Sequence, residues 1–212
     1  MARPPASSNL VATASRVTAE HRQARNRHAG GVLWFTGLPG SGKTTLAVAL
    51  EHRLFEAGAQ VYVLDGDRIR RRLSSDLGFT PADRSENIRR TGELAALFAD
   101  AGMIVIVAFI SPYRSDRAAA RAAAGAAFHE VYIKAPLDVC EARDPKGHYR
   151  KARAGDLKGF TGIDGGYQPP ANAELVLDTG TKSVADATDE IERMLARRGV
   201  LFEELADLAA NI

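Results

Sequence analysis

A nine-residue stretch in the first quarter of the chain carries the clearest chemical pattern. Residues 37–45 read GLPGSGKTT and fit G-x-x-x-x-G-K-[ST] at Gly37, Gly42, Lys43 and Thr44. Bare glycine backbone lets N–H groups surround phosphate oxygens, and the N-terminus of a following helix adds partial positive charge. Lys43 would place its charge on the β and γ phosphates, and the Thr44 hydroxyl would ligate Mg²⁺. We therefore predict a nucleoside triphosphate site, here called the phosphate loop, formed by Gly37, Leu38, Pro39, Gly40, Ser41, Gly42, Lys43, Thr44 and Thr45.

The residues around the phosphate loop supply the context that this pattern requires. Residues 32–35 (VLWF) are apolar and typical of a buried strand, and residues 43–57 have a helical pattern. The alternative, a glycine-rich strand–helix turn with a chance lysine, does not account for both flanks. A GTPase would also carry N-K-x-D, but no Asn in this chain is followed by Lys. The acid that a motor-type ATPase carries after its third strand is missing from the end of residues 103–109.

Two acids instead follow the second predicted strand, residues 61–64. In the stretch LDGDRIR, Asp65 and Asp67 fall at the carboxyl edge of the sheet, where open α/β sheets bind ligands. A carboxylate there can orient or deprotonate an acceptor hydroxyl, or hold Mg²⁺ through water. Capping of a helix N-terminus is the alternative for both acids. We interpret Asp65 as functional and leave both interpretations open for Asp67.

Polar and aromatic residues also cluster in LGFTPADRSENIRR, residues 77–90. Arg84, Asn87 and Ile88 lie three and four residues apart, so they share one face of a predicted helix. A guanidinium beside an amide suits a polyanion and its sugar or base. Phe79 precedes the helix and can stack on a flat ring, with core packing as the alternative. Seven arginines gather between residues 68 and 90, either as a solvated helix face or as a pocket for an anionic small molecule.

Alternating strands and helices must position these residues. We predict strands at residues 32–35, 61–64, 103–109, 131–133 and 175–177. We predict helices at residues 43–57, 83–100, 115–127, 137–143 and 183–198. Near-continuous apolar strands that alternate with helices predict an α/β fold of the P-loop NTPase type, with three α/β/α layers around a mainly five-stranded parallel sheet.

Residues 144–172 interrupt this alternation. They are rich in Gly, Pro, Lys, Arg and Asp and are too long for an ordinary connection, which predicts a lid over the site. Residues 1–28 are expected to form a leader that is partly disordered or a short helix. Residues 29–212 are expected to form a single domain.

Charge and composition exclude several classes of protein. Among 212 residues, 28 Lys and Arg oppose 26 Asp and Glu, and a net charge of +2 argues against a nucleic-acid partner. No apolar stretch approaches the ~18 residues of a membrane-spanning helix. Cys140 is the single cysteine, so a disulfide within the chain is impossible. We expect a cytoplasmic protein that binds neither nucleic acid nor membrane.

Six segments taken together are similar to those of the adenylylsulfate kinase (APS kinase) family. They are WFTGLPGSGKTT, LDGDRIR, LGFTPADRSENIRR, AFISPYRSDRAAAR, EVYIKAPLDVCEARDPKGHYRKARAG and FTGIDGGYQPP, in the family's order. The phosphate loop alone is generic, whereas DR-x-EN-x-RR, FISPY-x-x-DR, DPKG-x-Y-x-x-AR and FTGID in sequence are highly specific. The resemblance implies a P-loop kinase that uses ATP to phosphorylate the 3′-hydroxyl of adenosine 5′-phosphosulfate (APS), giving PAPS and ADP in sulfate activation.

The resemblance also implies a role for each site residue. The phosphate loop would hold the ATP phosphates and Mg²⁺, with Lys43 and Asp65 catalytic and Thr44 on the metal, assisted by Asp65 through water. The residues implied to bind APS are Asp65, Arg70, Phe79, Arg84, Asn87, Ile110, Ser111, Lys146 and Phe160, with the two phenylalanines on opposite faces of its adenine. Arg143 is implied to stack on the adenine of ATP or to steady the transferring phosphate. A homodimer is implied, and association with a separate ATP sulfurylase is a further expectation.

Five positions depart from the family pattern, namely Pro39, Thr44, Arg68, His148 and Gln168, and none of them removes a catalytic group. We interpret His148 as an exposed lid residue rather than a proton shuttle. Two other functions remain as alternatives. One is another small-molecule P-loop kinase, acting on gluconate, shikimate or a nucleoside. The other is a binding module that senses nucleotide or APS without turnover.

Overall fold

A single parallel sheet organises the protein. The computed structural model describes residue 9 and residues 15–210, so the disorder expected for residues 1–8 falls outside the described part. The strands are β1 (Gly31–Thr36), β2 (Val61–Asp65), β3 (Ile104–Ala108), β4 (Phe128–Lys134) and β5 (Leu175–Asp178). They pair in parallel in the order β2-β3-β1-β4-β5. The predicted five-stranded parallel sheet is confirmed.

Helices cover both faces of this sheet. They are α1 (Ala19–Asn26), α2 (Lys43–Glu56), α3 (Gly66–Arg70), α4 (Pro81–Asp100), α5 (Arg114–Ala124), α6 (Leu137–Arg143), α7 (His148–Arg153), α8 (Val184–Arg197) and α9 (Glu203–Ala210), with a 3₁₀ turn at Gly125–Ala127. Among the described residues, none of the helices has the length and apolar character needed to span a membrane.

Two apolar cores make the structure three layers thick. Leu33 and Phe35 pack into the core shared with α2 and α8, whereas Val32 and Trp34 face the core shared with α4 and α5. All four side chains are buried. Side chains along a strand alternate between the two faces of the sheet, and here both faces are covered by helices. The central strands therefore read as continuous apolar runs, which is why the sequence identifies them.

The leader helix α1 is bonded to the end of the sheet opposite the phosphate loop. Asn26 Nδ2 donates to the Gly102 carbonyl at 3.0 Å, in the turn between α4 and β3. His28 is buried, and its Nε2 accepts the Gln60 N–H at 3.0 Å, just before β2. These contacts join the last part of the predicted leader to the domain.

The structure differs from the sequence prediction where polar residues are buried. Strand β4 begins at Phe128, three residues before the predicted start, because His129 and Glu130 interrupt the apolar run yet lie inside. Arg117 Nε donates to Glu130 at 2.6 Å, which compensates the burial of both charges. Helices α3, α7 and α9 are not predicted by the sequence pattern. Helix α5 ends three residues early, because Gly125 takes a positive φ of 58°.

Candidate active site

A cleft of about 850 Å³ opens at the carboxyl ends of the strands. It is bounded by the phosphate loop, the start of α3, the first turns of α4, the segment after β3, the lid and the residues after β5. Open α/β sheets bind their ligands at this edge. The site residues predicted from sequence that line it are Pro39, Gly40, Gly42, Lys43, Thr44, Thr45, Asp65, Arg70, Phe79, Arg84, Asn87, Ile110, Ser111, Arg143, Lys146 and Phe160.

The phosphate loop connects β1 to α2 and depends on its glycines. A Cβ on Gly37 would lie 2.2 Å from the Ile133 carbonyl oxygen, and one on Gly40 would lie 2.8 Å from that of Cys140. Both positions also have positive φ, so only glycine fits there without strain. The loop can therefore lie directly against the end of β4 and the middle of α6.

Lys43 is folded back into the phosphate loop. Its Nζ donates to the Gly37 carbonyl at 3.0 Å, to the Leu38 carbonyl at 2.6 Å and to Ser41 Oγ at 3.3 Å. Burial lowers the pKa of Lys43 to about 7. These three bonds come from Gly37, Leu38 and Ser41, which do not themselves line the cleft but hold the ammonium group of Lys43 in place.

Asp65 at the end of β2 touches the phosphate loop directly. Its Oδ2 accepts the Thr44 hydroxyl at 3.2 Å, while its Oδ1 accepts the Asp67 N–H at 3.0 Å and caps α3. The helix cap, considered as the alternative for both acids, is therefore made by Asp65 and not by Asp67. Asp67 instead pairs with Lys146 of the lid, Nζ to Oδ2 at 2.5 Å.

Phe79 presents an open aromatic face beside the cleft. The ring is 69% exposed, so the alternative of core packing is wrong. The Arg70 guanidinium carbon lies 4.3 Å from the ring centroid, and Arg70 Nη1 also donates to the Gly78 carbonyl at 2.7 Å. Arg70 thus supports one face of the ring and leaves the other free for a planar ligand.

The first turns of α4 bring a cation and an amide to the cleft. A capping box of Thr80 and Asp83 starts this helix at Pro81, two residues before the predicted start. One turn later, Arg84 Nη2 donates to the Gly159 carbonyl of the lid at 3.0 Å. Asn87 is 2% exposed, and its Oδ1 has no hydrogen-bond partner among the described residues. Buried amide oxygens are normally paired, so this one is suited to a donor on a ligand.

The segment after β3 forms one wall of the cleft. Ser111 is buried and has a positive φ of 39°, which is strained for a residue with a side chain. Trp34 Nε1 donates to Ser111 Oγ at 3.1 Å, and Arg117 Nη1 donates to the Ser111 carbonyl at 2.6 Å. The Thr36 hydroxyl donates a hydrogen bond to the Ile110 carbonyl at 2.8 Å. These bonds fix the serine as part of the wall.

The lid is packed on the phosphate loop. It contains α7, whose Tyr149 and Ala152 are buried, and it carries Phe160 into the same small apolar cluster. We call this cluster the lid cluster; it comprises Ala135, Cys140, Tyr149, Ala152 and Phe160, with Leu38, Leu137, Leu157 and Ile163 packed against it. Because Leu38 belongs to the phosphate loop, the lid and the loop share one apolar contact surface.

Residues after β5 complete the cleft and were missed by sequence reasoning. Arg143 Nη2 donates to the Thr179 carbonyl at 2.6 Å, and the Thr179 hydroxyl donates to the Ser41 carbonyl at 2.7 Å. Thr179, Lys182, Ser183 and Val184 line the cleft beside Arg143. Their position at the carboxyl end of a strand was the available signal.

Comparison with known proteins identifies the family. The family described as "Adenylylsulphate kinase" matches residues 29–178 of this chain. The chain belongs to the adenylylsulphate kinase family. The adenylyl-sulfate kinase of Geotalea daltonii is 56% identical over 178 residues, which are 84% of this chain and 88% of that protein. The probable adenylyl-sulfate kinase of Bacillus subtilis is 48% identical over 194 residues, 91% of this chain and 98% of the relative.

Solved structures agree with the family. The APS kinase of Mycobacterium tuberculosis, solved in complex with AMPPNP and APS, aligns with a TM-score of 0.76 at 48% identity, over 79% of this chain and 98% of that one. A gluconokinase of Sinorhizobium meliloti aligns with a TM-score of 0.53 at 19% identity, over 87% of this chain and 97% of that one, and shares the fold alone.

Among the departures from the APS kinase pattern, Arg68 and Gln168 do not line the cleft, whereas Pro39 and His148 do. Gln168 Oε1 accepts the Arg114 N–H at 2.9 Å and so satisfies the first turn of α5, as a carboxylate would. Arg68 turns to the edge of the sheet, where its Nη1 donates to the Tyr62 hydroxyl at 3.1 Å. His148 is exposed, as interpreted, and its ring meets the edge of Phe160 at 6.0 Å.

Proposed function

We propose that this protein transfers the γ-phosphoryl group of ATP to the 3′-hydroxyl of APS, giving PAPS and ADP. The arrangement of the cleft carries the proposal. The phosphate loop forms one wall, and α4 and the lid bring Phe79, Arg84, Asn87 and Phe160 to the same cleft. Asp65 contacts the loop through Thr44. A phosphate-donor site and a site for an anionic, aromatic acceptor are thus joined by a carboxylate.

Transfer in this cleft is a single in-line displacement. The 3′-oxygen of APS attacks the γ-phosphorus of ATP, and the bond between that phosphorus and the ADP oxygen breaks. Asp65 orients the 3′-hydroxyl and takes its proton. Lys43 and the N–H groups of the phosphate loop stabilise charge that develops on the phosphoryl oxygens. The lid excludes water that would otherwise accept the phosphoryl group.

Two oxygen groups suited to Mg²⁺ lie side by side on the wall of the cleft. Thr44 Oγ1 and Asp65 Oδ2 are 3.2 Å apart. Mg²⁺ takes oxygen ligands and keeps several waters, so a hydroxyl, nucleotide phosphates and a water-bridged carboxylate fit it. When bound, the metal neutralises charge on the β and γ phosphates. We therefore propose Thr44 as a direct ligand and Asp65 as a ligand through water.

The acceptor side combines flat rings and positive charge. We propose that the adenine of APS stacks between the open face of Phe79 and the ring of Phe160. Both aromatic side chains line the same cleft, and flat rings stack favourably on one another. Guanidinium and ammonium groups suit the phosphosulfate, and we assign Arg70, Arg84 and Lys146 to it. We assign the uncharged residues Asn87, Ile110 and Ser111 to the wall that contacts APS and excludes water. Arg143, held beside the phosphate loop, is assigned to the adenine of ATP.

An ADP-release assay with a panel of acceptors tests the proposal. With MgATP, we expect turnover with APS and background rates with gluconate, shikimate and nucleosides. Turnover with one of those acceptors and none with APS would establish the rival small-molecule kinase. Tight APS binding without ADP release would establish the rival binding module.

We further propose that the protein acts in the cytoplasm, where MgATP is abundant, and that it forms a homodimer. The hexameric APS kinase of Thiobacillus denitrificans supports self-association; it is 35% identical with a TM-score of 0.64, and the match covers 86% of this chain and 32% of that one. Light scattering coupled to gel filtration tests the dimer. The same experiment with added ATP sulfurylase tests whether the two enzymes associate.

A further inference from the structure

Tyr149 lies between the two halves of the cleft. Its side chain is buried, and its hydroxyl donates to the carbonyl of Pro39 in the phosphate loop at 2.9 Å. Its ring and the Phe160 ring form a T-shaped pair, with centroids 5.0 Å apart and planes at 88°. This is a favourable edge-to-face geometry. One side chain therefore touches the nucleotide side through its oxygen and the acceptor side through its ring.

A second contact follows the same route. A Cβ on Gly162 of the lid would lie 3.3 Å from Leu38 Cδ2 and 3.6 Å from the Tyr149 hydroxyl. The backbone of the lid two residues after Phe160 is therefore packed against the phosphate loop. Such close packing transmits small displacements instead of absorbing them.

Nucleotide binding is expected to change the hydrogen bonds within the phosphate loop. Lys43 Nζ donates to the Leu38 carbonyl at 2.6 Å, one residue before the carbonyl that Tyr149 holds. For Lys43 to reach the phosphates of a nucleotide, this bond has to weaken or break. The Leu38 carbonyl then loses the lysine and keeps the Ser41 N–H at 3.1 Å, while the carbonyl of the next residue, Pro39, keeps its bond from Tyr149.

We propose that Tyr149 couples nucleotide binding at the phosphate loop to acceptor binding against Phe160, so that each ligand tightens the other. This inference rests on the proposed function. Tyr149 is a positioning residue: its hydroxyl sets the place of α7 relative to the loop, and its ring sets the place of Phe160. Energetic coupling of this kind is reciprocal, so APS must tighten nucleotide binding by the factor by which the nucleotide tightens APS.

The variant Tyr149→Phe removes the hydroxyl and keeps the ring. Calorimetry measures the Kd of APS for the wild type and the variant, with and without the β,γ-imido analogue of ATP. The coupling factor is the Kd of APS alone divided by its Kd with the analogue. We expect a factor of at least about five in the wild type and a value about five-fold lower in Tyr149→Phe, as for loss of one neutral hydrogen bond. Titration of the analogue with and without APS must give the same factor.

Tyr62→Phe is the matched control, because it removes a hydroxyl that bonds Arg68 at the edge of the sheet. It should keep the wild-type factor. If Tyr149→Phe does not fold, Phe160→Leu interrupts the same route at its other end. That change weakens APS itself, but this loss cancels in the ratio, so the factor should still fall.

The outcomes separate this inference from the proposed function. A wild-type protein that neither binds nor phosphorylates APS disproves the proposed function. An active wild type with a factor of one, or a variant that keeps the full factor, overturns the role of Tyr149 and leaves the proposed function standing.

Discussion

At the scale of single residues, Lys43 and Asp65 have unusual surroundings. Lys43 is buried against two carbonyl oxygens and a hydroxyl, and no carboxylate bonds it directly within the described part of the chain. Asp65 shares its two oxygens between a helix cap and Thr44. A bound nucleotide would have to replace the partners of Lys43, whereas the helix cap made by Asp65 Oδ1 can remain in place.

The lowered pKa of Lys43 predicts proton uptake on nucleotide binding. In the free protein, burial lowers this pKa to about 7, so at pH 8 the lysine is largely neutral. Phosphate oxygens favour the charged ammonium and raise the pKa in the complex. Nucleotide affinity should therefore fall as the pH rises above about 7. Calorimetry at pH 8 in buffers of different ionisation enthalpy should show uptake of a proton.

Lys43→Arg is the control for this measurement. Arginine stays charged at every accessible pH, so whatever affinity the variant retains should come without this proton uptake. A binding enthalpy that is independent of the buffer in the wild type at pH 8 would contradict the assignment.

Asp65 can be tested without losing its helix cap. Asn caps helices as well as Asp does, so Asp65→Asn should keep the melting temperature while removing the proton acceptor. We expect kcat to fall by about 10²- to 10⁴-fold in steady-state assays. Asp67→Asn is the matched change two residues away and should stay within a few-fold of wild type. Near-normal turnover of Asp65→Asn would show that Asp65 is not the base.

At the scale of elements, the site depends on contacts between α4 and the lid. Arg84 on α4 donates to the Gly159 carbonyl and, at 3.4 Å, to the Thr161 hydroxyl. Lys146 on the lid reaches Asp67 at the start of α3, but both of these side chains are more than half exposed. Exposed ion pairs contribute little, so this pair can be exchanged for a pair with an anionic ligand.

Arg84→Ala tests this arrangement. We expect the KM for APS to rise by about 10- to 100-fold, as for loss of hydrogen bonds to a charged group, with the KM for ATP nearly unchanged. Arg89→Ala, on the same helix but paired with Glu86 at the surface, should leave both constants at wild-type values. An equal rise in both KM values for Arg84→Ala would indicate general disruption of the cleft instead.

The sequence alone predicts those elements whose burial follows a simple pattern. The runs around Trp34 and Ile106 are apolar on both faces, and the phosphate loop has a defined glycine spacing. It is insufficient where burial is compensated by a partner, as for Glu130 with Arg117. Helix α7 was missed because four of its six residues, HYRKAR, are basic; the spacing of Tyr149 and Ala152 was the remaining signal.

Contacts between segments that are separate in the sequence explain the other features of the cleft that the sequence did not predict. The support of Phe79 by Arg70 and the bond from Trp34 to Ser111 join residues that no local pattern relates. The wall after β5, at Thr179, could have been inferred from the rule that parallel strands place ligands at their carboxyl ends.

At the scale of the whole molecule, the fold ties the leader and the sheet together at the end away from the cleft. His28 accepts the Gln60 N–H at Nε2, so its proton lies on Nδ1, 2.9 Å from the Ala29 carbonyl oxygen. Burial lowers the pKa of His28 below its usual value. Protonation of the ring would remove the acceptor for Gln60.

Stability should therefore fall in mild acid. The unfolded chain binds a proton at His28 near pH 6.5, whereas the folded protein binds it at a lower pH. The contribution of the neutral histidine is thus complete above about pH 6.5 and is lost progressively below it. Urea unfolding at pH 7.5 and 5.5 should show a smaller free energy of unfolding at the lower pH.

Two variants attribute this effect. His28→Gln should reduce the difference between the two pH values, and His52→Gln, at an exposed position, should not. His129 is also buried, with its pKa lowered chiefly by burial, so part of the difference should remain in His28→Gln. An unchanged difference in His28→Gln would exclude His28 as a source.

If a phosphoryl group passes from ATP to one particular oxygen of APS, the chemical structure of the product shows which oxygen received it. Purified protein is incubated with APS and MgATP, and the product is characterised by mass spectrometry and by ³¹P and ¹H nuclear magnetic resonance. We expect APS enlarged by one phosphate at the ribose 3′-oxygen, with one ADP formed for each product molecule. Unmodified APS, or a phosphate at any other atom, would contradict it.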